Sequence, residues 1–499
     1  MIVSMVFMTL NPHVLSPFFL TTNALSTSAL LRSGAPTRFR STGSARQVYF
    51  SFSCVRRLTI RDLVGEKKLT TVNNGGFEIT PIFSASPIAN LNSNTVPFMN
   101  RSFLSRGILE SDVSGSLLRY RTKSPHVYSV RSFGARANGL TDDSNAFLAA
   151  WRTACDSAGV VTFLIPKGTY LVGPVKFSGP CKNVSSLTVK MKGYLKASTN
   201  LSKYGSGAGW IEFRWMEGLT LTGGGTFDGR GSEAWPFNNC RDDYNCKLLP
   251  TNLKFVALNN TVVQHITSLN SKFFHLALVQ CKGFIGSKLK ISAPENSPNT
   301  DGIHIDRSSN VHFSLSHIQT GDDCISIGQG NSEVTISSIN CGPGHGISVG
   351  SLGRYRNEGD VSGLVVKNCS LTGTANGIRI KTWPNSPGSS SATNMTFENI
   401  TMNNVSNPII IDQSYCPFGF CSFKAPSLVK LSDIYFKNIR GTSSSKVAVA
   451  LECSKGFPCQ NVNLENVHLD LSSGENHPSS TCKYVRARYI GTQIPPPCA

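Results

Sequence analysis

The sequence has few charged residues and no long apolar run. Only 15% of its 499 residues are Asp, Glu, Lys or Arg, and this scarcity excludes a coiled coil, which is rich in such residues. Ser, Thr, Asn, Gly or a charged residue interrupts every apolar stretch before the roughly 18 residues that a membrane-spanning helix needs. Hydrophobic residues still make up 40% of the chain. We therefore expect a soluble protein with a large core and no membrane span.

Acidic residues are scarce relative to basic ones. The chain has 48 Lys and Arg against 29 Asp and Glu, a net charge of +19, and residues 125–499 alone carry +10. This balance favours a polyanionic partner, which could be nucleic acid, an anionic membrane surface or an acidic polysaccharide. We do not expect nucleic acid, because the basic residues are not clustered with aromatic residues on a recognisable module.

The 15 cysteines lack the spacing of zinc ligands. Close pairs recur instead, and they are Cys240 with Cys246, Cys416 with Cys421, Cys453 with Cys459, and Cys482 with Cys498. We therefore expect disulfides and an oxidising compartment, with Cys54 as the odd cysteine. The density of N-x-S/T sequons agrees with a secreted glycoprotein. The sequons are at Asn183, Asn200, Asn259, Asn368, Asn394, Asn399 and Asn404.

The first 124 residues differ from the rest of the chain. No charged residue precedes Arg32, and several arginines follow before the first acid, Asp62. Pro12 and Pro17 interrupt the apolar core that a secretory signal needs. The Ser/Thr/Arg-rich, acid-free pattern is typical of an organelle transit peptide, which conflicts with the cysteine argument. We expect residues 1–124 to be a leader or linker that is disordered or cleaved, with organelle targeting as the alternative to secretion.

From residue 125 onward the pattern predicts short strands separated by Gly and Asn turns. One helix is predicted at the start of this region, running to Cys155 from an acidic first turn at Thr141-Asp-Asp143. Further on, a unit of strand residues, a charged residue and Asn recurs. Its asparagines are Asn368, Asn399, Asn438 and Asn466. A recurring strand without an intervening helix predicts a solenoid. We expect these side-chain amides to bond the backbone of the turns above and below, and a β-sandwich or propeller is the alternative fold.

Four short motifs lie in the Gly-rich part of the repeat. They are Asn299-Thr-Asp301, Gly321-Asp-Asp323, Gly344-His-Gly346 and Arg379-Ile-Lys381. The first three follow one another at the length of one solenoid coil, roughly 21–25 residues. The steps from His345 to Arg379 and from Lys381 to Tyr415 are longer. With insertions in these longer steps, the side chains stack on one edge of the solenoid at about 4.8 Å per coil.

Such a cluster has the chemistry of glycosidic-bond hydrolysis. Three neighbouring carboxylates raise at least one pKa, which gives an acid beside carboxylates that can act as bases. Arg379 and Lys381 project from one strand face, where they can bind a sugar carboxylate. The predicted substrate is an acidic sugar polymer. We expect Gly321 to let the backbone bend, so that both Asp322 and Asp323 reach the cleft.

These motifs, with Tyr415 and the run Ser129-Val-Arg-Ser-Phe-Gly-Ala135, resemble the polygalacturonases of glycoside hydrolase family 28, plant type. The resemblance covers about residues 125–499. It implies an all-β, right-handed parallel β-helix with a short N-terminal capping helix. It also implies that a monomer hydrolyses α-1,4-linked polygalacturonate with inversion, without metal or other cofactor. Inversion follows from the resemblance alone, because stacking one coil apart gives about 5 Å between carboxylates, closer to the spacing of retaining enzymes.

The resemblance implies a role for each residue of the site. Asp322 matches the proton donor, Asp301 and Asp323 match the pair that activates water, and His345 matches the residue that keeps the acid protonated. The implied substrate-binding residues are Asn299, Gly346, Arg379, Lys381 and Tyr415, the last as an aromatic subsite wall. The implied disulfides are Cys324 with Cys341, Cys453 with Cys459, and Cys482 with Cys498.

Two other functions remain open on the sequence. A pectate lyase-like eliminase on a similar solenoid would use an arginine base and bind calcium through carboxylates. A non-catalytic pectin-binding β-helix would bind the polymer without releasing reducing ends.

Overall fold

The computed structural model describes residues 125–240, 243, 246–417, 421–474 and 477–498. The predicted leader, residues 1–124, lies outside the described residues. Within them are one α-helix, α1 (Ser144–Cys155), and four 3-10 helices, Val130–Phe133, Leu201–Lys203, Gly231–Glu233 and Trp235–Phe237. The strands in chain order are β1 His126–Ser129, β2 Asn138–Asp142, β3 Gly159–Ile165, β4 Thr169–Val172, β5 Val175–Ser178, β6 Val184–Met191, β7 Tyr194–Ala197, β8 Gly209–Arg214, β9 Leu219–Thr222, β10 Thr226–Asp228, β11 Thr251–Val256, β12 Asn259–Gln264, β13 Thr267–Leu269, β14 Leu276–Val279, β15 Lys282–Ser287, β16 Lys290–Ser292, β17 Ile303–Asp306, β18 Ser309–Gln319, β19 Ile325–Ile327, β20 Ser332–Cys341, β21 Ile347–Leu352, β22 Val361–Lys367, β23 Ser370–Thr372, β24 Asn376–Thr382, β25 Ser390–Val405, β26 Asn407–Asp412, β27 Val429–Ser443, β28 Val447–Glu452, β29 Cys459–Leu471, β30 Ser479–Lys483 and β31 Val485–Ile494.

The strands form two long sheets. The first has 11 strands in the order β30-β28-β26-β24-β21-β19-β17-β14-β11-β8-β5, and the second has 20. Each strand in the middle of the first sheet pairs in parallel with strands that lie one coil before and after it in the chain. Successive coils therefore stack along one axis, and the predicted parallel β-helix is confirmed.

Aliphatic ladders hold the coils in register. In the 11-stranded sheet one ladder of paired residues is Leu276, Ile303, Ile325, Ile347, Ile378 and Ile409. All six side chains are fully buried, and burial of each stabilises the fold by about 1.5–3 kcal/mol. Side chains alternate between the two faces of a strand, so the residues between the ladder positions point outward. The outer face of this sheet carries the site described below.

The first coils contain the helix α1. Its alanines favour helix, and its apolar face buries Phe147 and Trp151. The Trp151 ring lies 5.5 Å from Phe163 and 4.8 Å from Phe177, measured between ring centroids. A disulfide joins the last helical residue, Cys155, to Cys181. The helix therefore packs against the first strands, in the segment where a helix is predicted.

The repeated asparagines form a ladder on the 20-stranded side. The Nδ2 atom of each donates to the Oδ1 atom of the one before it, over 3.3, 3.1 and 3.2 Å. These residues are Asn368, Asn399, Asn438 and Asn466, and all have φ between 51° and 55°. The prediction that the amides bond the backbone of neighbouring turns is wrong. The side chains bond one another because each lies directly above the last, in a left-handed turn that Asn tolerates well.

Six disulfides occur among the described residues. They are Cys155–Cys181, Cys240–Cys246, Cys324–Cys341, Cys416–Cys421, Cys453–Cys459 and Cys482–Cys498. All of the predicted pairs are present. Cys54 lies outside the described residues, but the expectation that it is the one odd cysteine is wrong, because Cys281 and Cys369 are free thiols buried in the core. Burial raises the pKa of each thiol to about 11, so these two cysteines act as small apolar residues.

The described residues include no helix that is long and apolar enough to cross a membrane.

We predict that Asn438→Ala destabilises the β-helix by about 2 kcal/mol. Alanine loses two ladder hydrogen bonds and has to adopt a left-handed conformation. Asn438→Gly is the matched control, because glycine also loses the bonds but accepts the positive φ. Thermal unfolding should rank the parent above the glycine variant and the glycine variant above the alanine variant. Equal midpoints for all three proteins would contradict a stabilising ladder.

Candidate active site

Three carboxylates lie on adjacent coils at the start of strands of the 11-stranded sheet. Asp301 precedes β17, and Asp322 and Asp323 precede β19. The two coils are joined here by the backbone, since the Gly302 amide donates to the Asp323 carbonyl over 2.9 Å. Asp301 and Asp323 are fully buried, whereas Asp322 keeps 4% of its surface exposed. Asp322 is therefore the carboxylate that reaches the surface of the site.

Asp323 is held by two donors from later coils. Its Oδ1 accepts from the Ser348 hydroxyl and its Oδ2 from the Lys381 ammonium, each over 2.7 Å. Burial favours the neutral form of Lys381, but the nearby Asp323, Tyr415 and Asp322 together outweigh burial and raise the pKa of the lysine. The pair is therefore ionic, and its two charges compensate each other inside the protein.

Asp301 has a different environment. Its Oδ2 accepts from the Ser326 hydroxyl over 2.7 Å, and its buried Oδ1 has no hydrogen-bond partner among the described residues. Burial raises the pKa of Asp301 well above its usual range, and the charges of Asp322 and Asp323 raise it further. A proton is therefore retained on this carboxyl at a higher pH than on an ordinary Asp.

Asp322 is oriented by donors on both oxygens. Its Oδ1 lies 2.9 Å from His345 Nδ1 and accepts the Asp323 amide over 2.8 Å. Its Oδ2 accepts from Asn299 Nδ2 over 3.3 Å. Burial disfavours the charged imidazole, but the hydrogen bond with Asp322 and the charges of Asp322 and Asp323 together outweigh burial and raise the pKa of His345. The same contact helps to lower the pKa of Asp322 well below its usual range despite burial, so the proton between the two groups resides on His345 and they form an ion pair.

Glycines are required here by close contacts. A Cβ on Gly321 would lie 2.1 Å from the Ser297 carbonyl oxygen, and the backbone there has no positive φ. The backbone does bend at Gly321 and Asp322, as predicted, but glycine is required there for space rather than for a positive φ. Gly346 has φ 82°, and a Cβ there would lie 2.0 Å from the Asn376 carbonyl oxygen. It is buried and accepts the Cys324 amide through its carbonyl, over 2.8 Å.

Arg379 and Lys381 project from the outer face of β24, as predicted from their spacing. The Arg379 guanidinium lies 3.5 Å from the Asp412 carboxylate. Its central carbon is 4.8 Å from the centroid of the Tyr415 ring, and the Lys381 ammonium is 5.4 Å from the same centroid. Tyr415 is only 3% exposed. The ring thus lies against both cations, and Lys381 is already engaged by Asp323.

Sequence reasoning missed several groups that hold the carboxylates. Ser326 donates to Asp301 and lies 2.8 Å from His304 Nδ1, and Ser348 donates to Asp323. Asn238, in the loop after the last 3-10 helix, donates to Asn299 over 3.1 Å. The sequence does contain a signal for His304, Ser326 and Ser348. The outward positions 304, 326 and 348 recur at equal steps of one coil, each between a pair of buried aliphatic residues.

The same cluster has the donor atoms of a cation site. Asp322, Asp323 and His345 present one ligand atom each, and these atoms lie within 4.8 Å of one another. The Lys381 ammonium is already bonded to Asp323 in this cluster. Positive charge at the site is thus supplied by the chain itself.

Comparison with known proteins gives a consistent result. The family model described as "Glycosyl hydrolases family 28" matches residues 155–491. An exopolygalacturonase of Platanus acerifolia is 49% identical over 372 residues, which are 74% of this chain and 97% of that protein. A polygalacturonase of Gossypium barbadense is 46% identical over 370 residues, 74% of this chain and 90% of that one.

A solved structure shows the same fold. The hyperthermoactive exopolygalacturonase of Thermotoga maritima aligns with a TM-score of 0.62 and 19% identity, over 74% of this chain and 92% of that one. The right-handed parallel β-helix expected from the motifs is therefore confirmed. Since the family model spans most of the chain and plant relatives reach 49% identity, the protein belongs to glycosyl hydrolases family 28.

Proposed function

We propose that the protein hydrolyses α-1,4-galacturonosidic bonds of polygalacturonate and so degrades or remodels the pectin of the cell wall. The observation that carries the proposal is the group of three carboxylates on adjacent coils, set beside the cations Arg379 and Lys381. Carboxylates in different environments provide an acid and a base, and the cations suit a substrate with a carboxylate on each sugar. The relatives named polygalacturonase support this substrate.

Asp322 is the proposed proton donor to the glycosidic oxygen. It is the one carboxylate of the three that keeps any exposed surface, and it is hydrogen-bonded to His345, so a proton held by this pair can be delivered where the substrate binds. Asp301 and Asp323 are proposed to activate the attacking water. The Lys381 ammonium balances the charge of Asp323, and Asp323 is therefore the proposed base of the two. The family resemblance implies that the reaction inverts the anomeric configuration.

We propose exo action on the non-esterified polymer by a monomer that requires no metal. The 49% identity to a relative named exopolygalacturonase supports exo action. The Lys381–Asp323 ion pair supports metal independence, because an ammonium already provides the charge that a cation would bring to this carboxylate. Arg379 is the proposed binder of the substrate carboxylate, with Asn299, Gly346, Lys381 and Tyr415 forming the surrounding surface.

Polygalacturonate should release new reducing ends in excess chelator, and sizing of early products should show monogalacturonate from the start. Asp322→Asn is the matched control, because the amide keeps the shape of the carboxyl but has no proton to give. We expect this variant to lose turnover and to keep nearly normal substrate binding. Residual activity within about tenfold of the parent would contradict the role of Asp322.

The same experiment separates the alternatives. An eliminase would need calcium and would form an unsaturated product that absorbs ultraviolet light. A non-catalytic binding protein would retain the polymer and release no reducing ends. Larger oligomers among the first products would instead show endo action.

Lys381→Ala and Arg379→Ala should differ in their kinetic effects. Removing Lys381 leaves Asp323 to ionise inside the protein without its ammonium, so kcat should fall and the acid side of the pH–rate profile should move to higher pH. Removing Arg379 should mainly raise KM, since a charged hydrogen bond contributes about 1.5–3 kcal/mol. The check is a set of pH–rate profiles for both variants. Identical profiles, or a preference of the parent for neutral methyl-esterified pectin, would contradict these roles.

We further propose a secreted glycoprotein that acts without its first 124 residues. Six disulfides support an oxidising compartment. All seven sequon asparagines are exposed, so glycans could be attached without disturbing the core. Among the described residues, the first strand of the β-helix begins at His126.

A chain that starts at Ser124 and passes through a secretory pathway should fold, form its disulfides and hydrolyse polygalacturonate. The full chain is the control. Aggregation of the shortened chain beside an active full chain would make the leader part of the fold. Entry of a fluorescent fusion of residues 1–124 into plastids or mitochondria would contradict secretion.

A further inference from the structure

A row of alternating cations and aromatic rings leads away from the carboxylates. The Arg379 guanidinium lies against Tyr415, and Tyr415 meets Trp383 edge to face with 5.7 Å between ring centroids. On the far side of Trp383 the Arg354 guanidinium lies 4.7 Å from the ring centroid. The same guanidinium is 5.7 Å from the ring of Tyr355. A second guanidinium, that of Arg354, thus follows Arg379 after the rings of Tyr415 and Trp383.

Arg354 lies on a loop that is fixed by a single acid. The loop follows β21, and the Glu358 carboxylate accepts the backbone amides of Gly353 over 2.6 Å and of Arg354 and Tyr355 over 2.8 Å each. The loop end is also tied to the previous coil, because the Gly359 amide donates to Gln329 Oε1 over 2.7 Å. Three hydrogen bonds from backbone amides to the Glu358 carboxylate hold the backbone of Arg354 in one conformation.

Trp383 is fixed to the same loop. Its amide donates to the carbonyl of Leu352, the last residue of β21, over 2.8 Å. Arg354 and Trp383 come from the two insertions that lengthen the repeat after His345 and after Lys381. Two neighbouring coils therefore contribute to one contact, in which the Arg354 guanidinium lies over the Trp383 indole ring. Arg354 follows the carboxyl end of β21, and Trp383 follows that of β24.

We propose that Arg354, held in place by Trp383, forms a further subsite, which binds the carboxylate of a galacturonate unit beyond the unit at Arg379. A guanidinium suits a carboxylate because it stays charged and can donate a charged hydrogen bond. The indole ring lies against the guanidinium and fixes its position. This proposal rests on the proposed function and specifies where a longer chain is bound.

The test compares Arg354→Gln with Arg356→Gln in the full chain over a series of galacturonate oligomers. Arg356 is exposed, lies further along the same loop and serves as the matched control. For Arg354→Gln, we expect kcat/KM on polygalacturonate to fall about tenfold or more, mostly through KM. The deficit should shrink as the substrate shortens and be smallest for digalacturonate. Arg354→Lys should recover part of the loss, since it keeps the charge without the planar fork.

Two kinetic outcomes would overturn the subsite. In one, Arg354→Gln matches Arg356→Gln at every substrate length. In the other, its deficit is the same for digalacturonate and polygalacturonate, which would indicate a role in the chemistry or in folding. Thermal unfolding of each variant identifies a folding defect. If Arg354→Gln has such a defect, kcat/KM of Arg354→Lys is compared with that of the parent at each substrate length.

A binding measurement separates this proposal from the proposed function. Oligogalacturonates of increasing length are titrated into Asp322→Asn, with and without Arg354→Gln. Weaker binding of long oligomers in the double variant supports the subsite even if the parent fails to hydrolyse polygalacturonate. Equal affinities at all lengths overturn the subsite even if hydrolysis is observed.

Discussion

The register between coils is the constraint on which the rest of the molecule depends. Parallel backbone pairing places each residue of one coil about 4.8 Å from its partner in the next, and aliphatic ladders such as Ile303, Ile325 and Ile347 fix that register from the core side. A slip by one residue would turn every outward side chain into the core. Because the register is fixed, side chains one coil apart along the chain become neighbours in space, and the carboxylates form one site.

Placing three carboxylates so close together is costly unless their charge is compensated. Each carboxyl group is compensated in a different way. Asp323 has the Lys381 ammonium, Asp322 has the His345 imidazole, and Asp301 has a raised pKa and holds its proton to a higher pH than an ordinary Asp. These differences arise from which neighbouring coil supplies the partner. The stacking that brings the acids together thus also makes them chemically distinct, as an acid and base pair requires.

Much of this could be predicted from the sequence, because a solenoid turns spacing along the chain into proximity in space. The steps between Asp301, Asp322 and His345 were enough to bring those residues together, and the repeated Asn marked a real ladder. The side chains that hydrogen-bond the carboxylates were harder to predict. Ser326 and Ser348 resemble any other polar residue between two aliphatic residues, and the burial of Lys381 against Asp323 depends on side-chain length and direction. The free thiol of Cys281 was missed because residues 125–499 hold 14 cysteines, an even count that suggests complete pairing.

The coil geometry also explains where substrate specificity can reside. Along the stacked strands every position is constrained by the coils on either side, so a change there disturbs the carboxylates as well as the fold. The insertions between strands are free of this constraint, since they leave the stack and return to it. The loop that Glu358 anchors and the segment of Trp383 are two such insertions, and they adjoin the strands that carry His345 and Lys381. A β-helix can therefore retain one chemistry in its strands while its loops set how many sugars it binds and in which direction.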